Sequence, residues 1–276
     1  HKPDAIKISQ PANYENLLET KGMVIADPNK RRTQIKHQIK QILKKQNKNL
    51  TAIINPSLLQ EVSQLVSWPN AILCSFPKEY LKVPKPALIS SMEYHQKCFP
   101  ITNKSGDLEP KFITISNIIS SNPQSVIKGN EIVMNARLSD AAFFYNKDCK
   151  TNLKTWSEKL KNITFHTGLG SIYDKSQRIK TLSKEIAQIA NLNPNQIKNI
   201  ETAAELCKCD LVSDMVEEFP DLQGIMGEIY AHNQGLDQNI CIAIKEHYQP
   251  RFSEDKTPQT LSGQILALAD KLDSIC

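Results

Sequence analysis

Apolar residues are spaced differently in the two halves of the chain, and this spacing predicts different structures. In the first half, short runs rich in β-branched and aromatic residues predict strands over 23–26, 71–76 and 112–118. Two segments between them, 32–45 and 57–66, instead place apolar residues three or four positions apart, the pattern of a helix with one buried face. The first half therefore predicts a mixture of strands and helices.

From Gly129 onward the strand patterns stop and helical spacing takes over. Asn193 and Pro194 predict the N-cap and first-turn proline of one helix, which is expected to run to about Phe219. The preceding helix is predicted from apolar residues that recur on one face: Ile172, Ile179, Leu182, Ile186 and Ile189.

Together these patterns predict an α+β fold, with a mixed α/β domain over 1–127 and a helical domain over 128–276. The 276 residues are 40% hydrophobic and nearly balanced in charge, which excludes a disordered chain. No stretch approaches the roughly 20 apolar residues that a membrane span requires. The composition therefore predicts a folded protein of one large or two ordinary domains.

The cysteines and the chain ends bear on compartment and completeness. Seven cysteines, an odd number at scattered positions, do not form the framework of a secreted protein, so we expect a reducing cytoplasm. The chain begins with His1 instead of Met and stops at Cys276 within an apolar-periodic run. We therefore expect a fragment of a longer protein.

The predicted helix over 32–45 carries the first candidate for function. No acidic residue occurs over 28–60, whereas basic residues recur there at a spacing of four: Arg32, Lys36, Lys40 and Lys44. In a helix this spacing puts them on one face, opposite an apolar stripe that includes Ile35 and Ile39. Such a row suits a phosphate backbone, although a solvated lysine face is the commoner meaning of the pattern.

A second candidate is the group His95, Gln96 and Lys97, which stands just before a turn marked by Pro100. Taken singly, each residue type is more often structural than reactive. The chain contains no P-loop, no dinucleotide-binding glycine motif, no Ser/His/Asp order and no HExxH motif. Nucleophilic catalysis therefore has no support in the sequence.

The helical half suggests a metal site in two ways. Cys207 and Cys209 have no second Cys or His pair at zinc-finger distance, which favours two buried cysteines over zinc ligands. The phrases AAELCKCD (203–210) and LALADKLD (266–273) resemble the metal-dependent phosphohydrolases of the HD superfamily, in which an apolar run ends in His-Asp and a later helix carries Ala-Asp.

The match to the HD pattern is degenerate. Cys209 stands where the family has His, and Asp174 stands where its first histidine is expected. Asp210 and Asp270 fit, with His247 as a further candidate ligand. We expect a scaffold whose carboxylates hold Mg²⁺ weakly or pair with basic residues of the same motifs, namely Lys175, Arg178 or Lys271. Phosphodiesterase chemistry is the alternative.

A series of motifs in one order resembles the β subunit of the bacterial heterotetrameric glycyl-tRNA synthetase. The resemblance covers nearly the whole chain. It is carried by HQKCFP (95–100), GNE (129–131), ARLSDAAFF (136–144), LG (169–170), DK (174–175), KCDLV (208–212), MVEEFPDLQGIMG (215–227), HYQPRF (247–252) and ADKLD (269–273).

This resemblance implies a fold and a function. The first domain would be similar to the B3/B4 module of phenylalanyl-tRNA synthetase, and the second would be an HD-like helical domain truncated at its C-terminal end. The family's α subunit activates glycine with ATP and Mg²⁺, whereas its β subunit binds tRNA, so this chain would need no cofactor and would be inactive alone. The implied partners are the α subunit and glycine tRNA, and no membrane is involved. A purely structural role is the alternative.

The candidate tRNA contacts combine the basic helix with two of the family motifs. They are Arg32, Lys36, Lys40, Lys44, His95, Gln96, Lys97 and Arg137. The family usually has Tyr where this chain has Cys98, so a base-stacking role at that position is in doubt.

Overall fold

The computed structural model describes residues 5–46 and 49–275, and these form two compact units, 1–141 and 142–276. The division between these units lies inside a long helix, Pro123–Asp148. Strands and helices are mixed in the first unit and helices predominate in the second, so the α+β prediction is confirmed. No helix in the described parts of the chain is long and apolar enough to cross a membrane.

The first unit combines helices with a small sheet. Its helices are α1 (Tyr14–Gly22), α2 (Pro28–Lys45), α3 (Pro56–Leu65), α4 (Lys85–Ser90) and α5 (Pro123–Asp148), the last of which continues into the second unit. Its strands are β1 (Thr51–Ala52), β2 (Asn70–Ser75), β3 (Phe99–Thr102) and β4 (Leu108–Ser116). Two single turns, Lys78–Lys82 and Ser91–His95, complete the described elements of its middle part.

Every strand pair in the sheet of the first unit is antiparallel, in the order β1-β3-β4-β2. α2 and α3 pack on this sheet through one hydrophobic core. The buried members of the core are Ile35, Ile39, Leu43, Leu58, Leu59, Val62, Val66, Phe99, Ile101 and Ile113. The apolar stripes of both predicted helices therefore face the sheet, as the periodicity requires.

The strand predicted over 23–26 is wrong. Met23 ends α1 in the left-handed conformation (φ 53°), and the next residues pass into α2 without pairing in the sheet. Ile25 is buried and donates its amide hydrogen to the Ser67 carbonyl at 2.9 Å. This short apolar run is therefore a buried connection between α1 and α2. The prediction failed because periodicity alone cannot distinguish a buried connection from a strand.

The second unit is mainly helical. Its helices are α6 (Leu153–Lys159), α7 (Ile172–Ile189), α8 (Pro194–Leu206), α9 (Asp214–Glu218), α10 (Ile225–Asn233), α11 (Gln238–Glu246) and α12 (Leu261–Ile275). Two short antiparallel strands, β5 (Thr164–His166) and β6 (Gly170–Ser171), precede α7. The expectation that strands end before residue 129 is therefore wrong for this hairpin.

The helix that begins at Asn193 and Pro194 ends earlier than predicted. Asn193 forms the expected N-cap by accepting a hydrogen bond from the Gln196 amide. α8 stops at Leu206 instead of continuing to Phe219, because the chain turns inward there. Asp210 and Ser213 are fully buried and hydrogen-bond backbone groups, so polar side chains compete with helix continuation.

Candidate functional site

The basic helix has the two faces that its sequence predicts. α2 begins with Asp27 as its N-cap, whose carboxylate accepts a hydrogen bond from the Asn29 amide at 2.8 Å. Ile35, Ile39 and Leu43 are buried against the sheet. The opposite side of the helix is therefore free to face solvent.

Lysines occupy that solvent side in a row about 18 Å long, from Arg32 to Lys44. Lys36, Lys40 and Lys44 are exposed, and none of them forms an ion pair within residues 5–46 and 49–275. Arg32 is half-buried and donates a hydrogen bond to the side chain of Asn29. The row is thus a surface of positive charge that no carboxylate in the described part of the chain neutralises.

The neighbouring basic residues of α2 have structural partners instead. Arg31 donates hydrogen bonds to the carbonyls of Ile25 and Ser63, both at 2.6 Å. Lys30 pairs with Glu15 at 2.6 Å. The sequence could not separate these residues from the row, because their partners lie in other elements.

The segment around residue 95 lies against α3, the helix that neighbours α2. Lys97 adopts a left-handed conformation (φ 52°), and its ammonium group lies 2.9 Å from the carboxylate of Glu61 in α3. Asn55, the N-cap of the same helix, donates a hydrogen bond to Glu93 at 3.2 Å. The structure therefore brings both predicted features, the basic helix α2 and the segment around residue 95, beside α3, with Lys97 already paired.

The other predicted contacts of the first unit have different surroundings. His95 is half-buried, with its ring centroid 5.3 Å from that of Tyr94. Gln96 is half-buried, and its carbonyl accepts a hydrogen bond from the Cys98 thiol. Burial raises the pKa of Cys98 to about 12, so this residue is an inert core thiol. Arg137 is exposed on α5 and has no ion-pair partner in the described structure.

The degenerate HD residues do not form a metal-holding group among the described residues of the second unit. Asp174 is exposed and completes a capping box at the start of α7, accepting hydrogen bonds from the amide and hydroxyl of Ser171. The amide hydrogen bond lowers the pKa of Asp174. Cys209 is buried, and its thiol contacts the Glu205 carbonyl at 3.8 Å. Asp174 therefore caps the start of α7, and Cys209 contacts a carbonyl at the end of α8.

Asp210 is fully buried and serves the backbone. Its Oδ2 accepts hydrogen bonds from the amides of Gly224 at 2.6 Å and Gly227 at 3.1 Å. Burial raises the pKa of this carboxyl to about 6, although these hydrogen bonds act in the opposite direction. Gly224 has a positive φ of 78°, and a Cβ there would lie 2.8 Å from the ring of Tyr248. Asp210 therefore holds a tight glycine turn in place.

Two buried lysines contact the carboxylate of Asp270. Lys175 of α7 and Lys208, which follows α8, place their ammonium groups 3.3 and 2.9 Å from the Asp270 carboxylate. Lys175 also pairs with Asp273 at 2.9 Å. Burial is the largest influence on the pKa of Asp270 and would raise it, but the charge and hydrogen bond of Lys208, together with the charges of His247 and Lys175, lower the pKa below its ordinary value. We call Lys175, Lys208, Asp270 and Asp273 the ion cluster.

The expected pairing of carboxylates with nearby bases is confirmed for Lys175. Arg178 pairs with Asp273 at 2.5 Å, whereas Lys271 donates to the Gln249 carbonyl. Lys208 and Asp273 were missed as cluster members, although both stand in the quoted family motifs. Their spacing gave no signal, because three separate helical segments bring them together.

The ion cluster does not fit an HD metal centre. A divalent ion would have to bind Asp270 beside two ammonium groups, which repel a cation. His247 is fully buried, its Nδ1 lies 2.5 Å from the Ile244 carbonyl, and burial lowers its pKa. No group of three or more His, Cys, Asp or Glu side chains over 5–46 and 49–275 is arranged to hold a metal. The lysines therefore supply the positive charge that the carboxylates require.

Comparison with known proteins agrees with the motif series. The family model described as "Glycyl-tRNA synthetase beta subunit" matches residues 1–276. A "Glycine--tRNA ligase beta subunit" of Coxiella burnetii (strain RSA 493 / Nine Mile phase I) is 46% identical over 275 residues, covering 100% of this chain and 39% of the relative. Its counterpart in Bacillus subtilis (strain 168) is 42% identical over 270 residues, which cover 98% of this chain and 39% of the relative.

The chain thus spans about 39% of the length of the curated relatives it matches. Since the family model covers every residue, the chain belongs to the glycyl-tRNA synthetase β subunit family.

Proposed function

We propose that this chain is a tRNA-binding, non-catalytic part of a glycine–tRNA ligase β subunit, which supports attachment of glycine to its tRNA by the α subunit with ATP. Membership of the family and the names of the relatives support the ligase role and the α subunit as partner. The cytoplasm, where proteins are made, is the proposed compartment.

The unpaired lysine row of α2 is the observation that carries the tRNA-binding part. Lys36, Lys40 and Lys44 are exposed at one-turn spacing on a helix whose opposite face is fixed to the sheet. Ammonium groups held in a row on a rigid element match the repeated negative charge of a phosphate backbone and release its counterions on binding. We expect His95, Gln96, Lys97 and Arg137 to make at most secondary contacts.

Reversing the charge of the row tests this proposal. Lys36, Lys40 and Lys44 are changed together to Glu, and affinity for a glycine tRNA transcript is measured as a function of salt. Losing three phosphate contacts should lower the slope of log K against log salt by about two to three and weaken binding at low salt.

A matched control applies the same charge change elsewhere in the first unit. Lys78, Lys82 and Lys104 are exposed residues outside α2, and their joint change to Glu should leave the slope within about one of the unmodified chain. Equal slopes for the α2 triple variant and the unmodified chain would contradict tRNA binding by this helix.

The chemistry of the ligase is proposed to lie outside this chain. ATP and Mg²⁺ would be used by the α subunit, and we assign no cofactor to the residues 1–276. The purified chain should therefore catalyse no glycine-dependent ATP–pyrophosphate exchange. Exchange that persists in preparations free of α subunit would overturn this assignment.

The second unit is proposed to be a scaffold with an HD-like arrangement and without hydrolase activity. The ion cluster favours this role, because Asp270 is bound by Lys175 and Lys208. Added Mn²⁺ or Mg²⁺ should not stimulate cleavage of a phosphodiester such as bis-p-nitrophenyl phosphate. Stimulated cleavage that Asp210→Ala removes would favour the hydrolase alternative.

A further inference from the structure

A cleft of about 290 Å³ lies between the basic face of α2 and the start of α3. Three apolar side chains and three polar ones line it: Arg32, Lys36, Ile54, Pro56, Leu59 and Gln60. Leu59 is buried and belongs to the core of the first unit, so the apolar side of the cleft is rigid. The size is near the lower limit for small-molecule pockets, which suits one small planar group with its substituents.

The polar side of the cleft has groups available for a ligand. Lys36 is exposed without an ion-pair partner in the described structure. The side-chain amide of Gln60 is exposed and likewise has no hydrogen-bond partner over 5–46 and 49–275. An amide offers both a donor and an acceptor, which is the combination that base edges present.

The charge around the cleft favours a negatively charged ligand. No acidic residue occurs over 28–60, and the next acid along the chain, Glu61, is paired with Lys97 at 2.9 Å. Glu93 accepts a hydrogen bond from the side chain of Asn55 at 3.2 Å. The nearby carboxylates are therefore engaged elsewhere, and the field at Arg32 and Lys36 is positive.

We propose that this cleft binds one unpaired nucleotide of the RNA that the lysine row holds. The phosphate lies on Arg32 and Lys36, the base or ribose packs on Ile54 and Pro56, and the Gln60 amide meets a base edge. This inference rests on the proposed tRNA binding and adds to it a site for a single base.

The residues that line the cleft favour an unpaired nucleotide over two simpler ligands, an inorganic anion and a paired RNA helix. An inorganic anion gains nothing from an apolar side made by Ile54, Pro56 and Leu59. A paired RNA helix presents its backbone while its bases stay stacked, so it reaches the lysine row and not the cleft. An unpaired nucleotide is the ligand with both a charged and a flat, weakly polar part.

The experiment compares Gln60→Ala with Gln64→Ala, a matched change one turn further along α3. Gln64 is exposed and does not line the cleft. The probes are a glycine tRNA transcript and a blunt RNA duplex with a similar number of phosphates, both measured with the 276-residue chain. Gln60→Ala should weaken tRNA binding three- to tenfold without changing the salt slope, because a neutral contact is lost. Neither variant should change duplex binding by more than twofold.

A charged variant strengthens the test. Gln60→Glu should weaken tRNA binding by tenfold or more and Gln64→Glu by less than threefold, because only the former places a carboxylate among Arg32 and Lys36. Circular dichroism checks that all four variants fold.

The outcomes of the two proposals are distinguishable. If the α2 triple variant loses its salt slope while Gln60 and Gln64 variants behave alike, the cleft proposal is overturned and tRNA binding stands. Equal losses on tRNA and duplex for Gln60→Ala also overturn it, since the cleft would then serve only the backbone. If the triple variant keeps its slope, tRNA binding by α2 fails, and the cleft proposal fails with it.

Discussion

Lysines have opposite roles in the two units of this chain. On α2 of the first unit, Lys36, Lys40 and Lys44 are exposed, and no carboxylate of the described residues neutralises them. In the second unit, the side chains of Lys175 and Lys208 are each 6% exposed and contact the carboxylate of Asp270. The same side chain thus acts as a surface charge in one unit and as an internal counter-ion in the other.

The difference shows what burial does to a charge. An exposed ammonium is screened by salt and costs little to leave unpaired, so it remains available to a mobile partner such as a phosphate. A buried ammonium must keep its carboxylate, because removing one member leaves an uncompensated charge in a medium of low dielectric constant. The first arrangement favours binding and the second favours a fixed structure.

The sharpest way to break this comparison is to remove the shared carboxylate of the ion cluster. Asp270→Ala leaves Lys175 and Lys208 buried without their common partner and should lower the free energy of unfolding by about 3–5 kcal/mol. Urea denaturation measures the loss. The control Glu254→Ala, an exposed position of the same unit, should stay within about 0.5 kcal/mol of the unmodified chain. A loss below about 1 kcal/mol for Asp270→Ala would show that the ammonium groups of Lys175 and Lys208 become hydrated in the variant.

Asp210 predicts a pH dependence confined to the second unit. Its folded pKa of about 6 lies above the ordinary 3.8, so the folded state binds the proton more tightly than the unfolded state. The stability from this effect is fully present below about pH 4 and is lost as pH rises through 6, a change of up to about 3 kcal/mol.

The isosteric variant Asp210→Asn isolates this titration. The difference in free energy of unfolding between the original chain and the variant should fall between pH 4 and pH 7, when both are measured by urea denaturation. A constant difference across this range would mean that Asp210 keeps an ordinary pKa despite its burial.

The lysine row should have a much smaller effect on stability. Changing Lys36, Lys40 and Lys44 to Glu keeps the like-charge spacing and the buried Ile face, so the cost should remain below about 1 kcal/mol, mostly from a negative charge near the C-terminus of α2. Thermal unfolding of the triple variant measures it. A cost similar to that of Asp270→Ala would show that the row has an intramolecular partner.

Metal removal should have the smallest effect. Since the ion cluster carries its own cations, dialysis against EDTA should leave the thermal midpoint unchanged within measurement error. Elemental analysis of the purified chain should find no stoichiometric Mn, Fe or Zn. One tightly held ion per chain would contradict the conclusion that Lys175 and Lys208, and not a metal, supply the positive charge beside Asp270.

Local patterns were the reliable part of the sequence. The helix predicted over 32–45 occurs as Pro28–Lys45, because its buried face repeats at about 3.6 residues. The strand predicted over 71–76 from a short β-rich run occurs as Asn70–Ser75, paired with β4. Ile189, placed on the buried face of α7 by periodicity, is instead 80% exposed. It is the last residue of its helix, where the helix extends beyond the core.

The candidate sites were predicted unequally for the same reason. The row on α2 could be found from spacing, since one helix supplies all of its members. The cleft needed α3 beside α2, and the separation of Lys97 from the free cations needed Glu61. No pattern within one element could indicate either arrangement.

The sequence by itself determined the α+β class, the amphipathic helices and, through its ordered motifs, the family. Tertiary structure decided which charges are free and which are paired. Folding brings Lys175 and Lys208 into contact with Asp270, whereas Asp174 and Cys209 form hydrogen bonds at helix ends. The physical reason is that secondary structure follows interactions within a few residues, whereas the fate of a charge depends on burial and on partners that folding brings from distant segments.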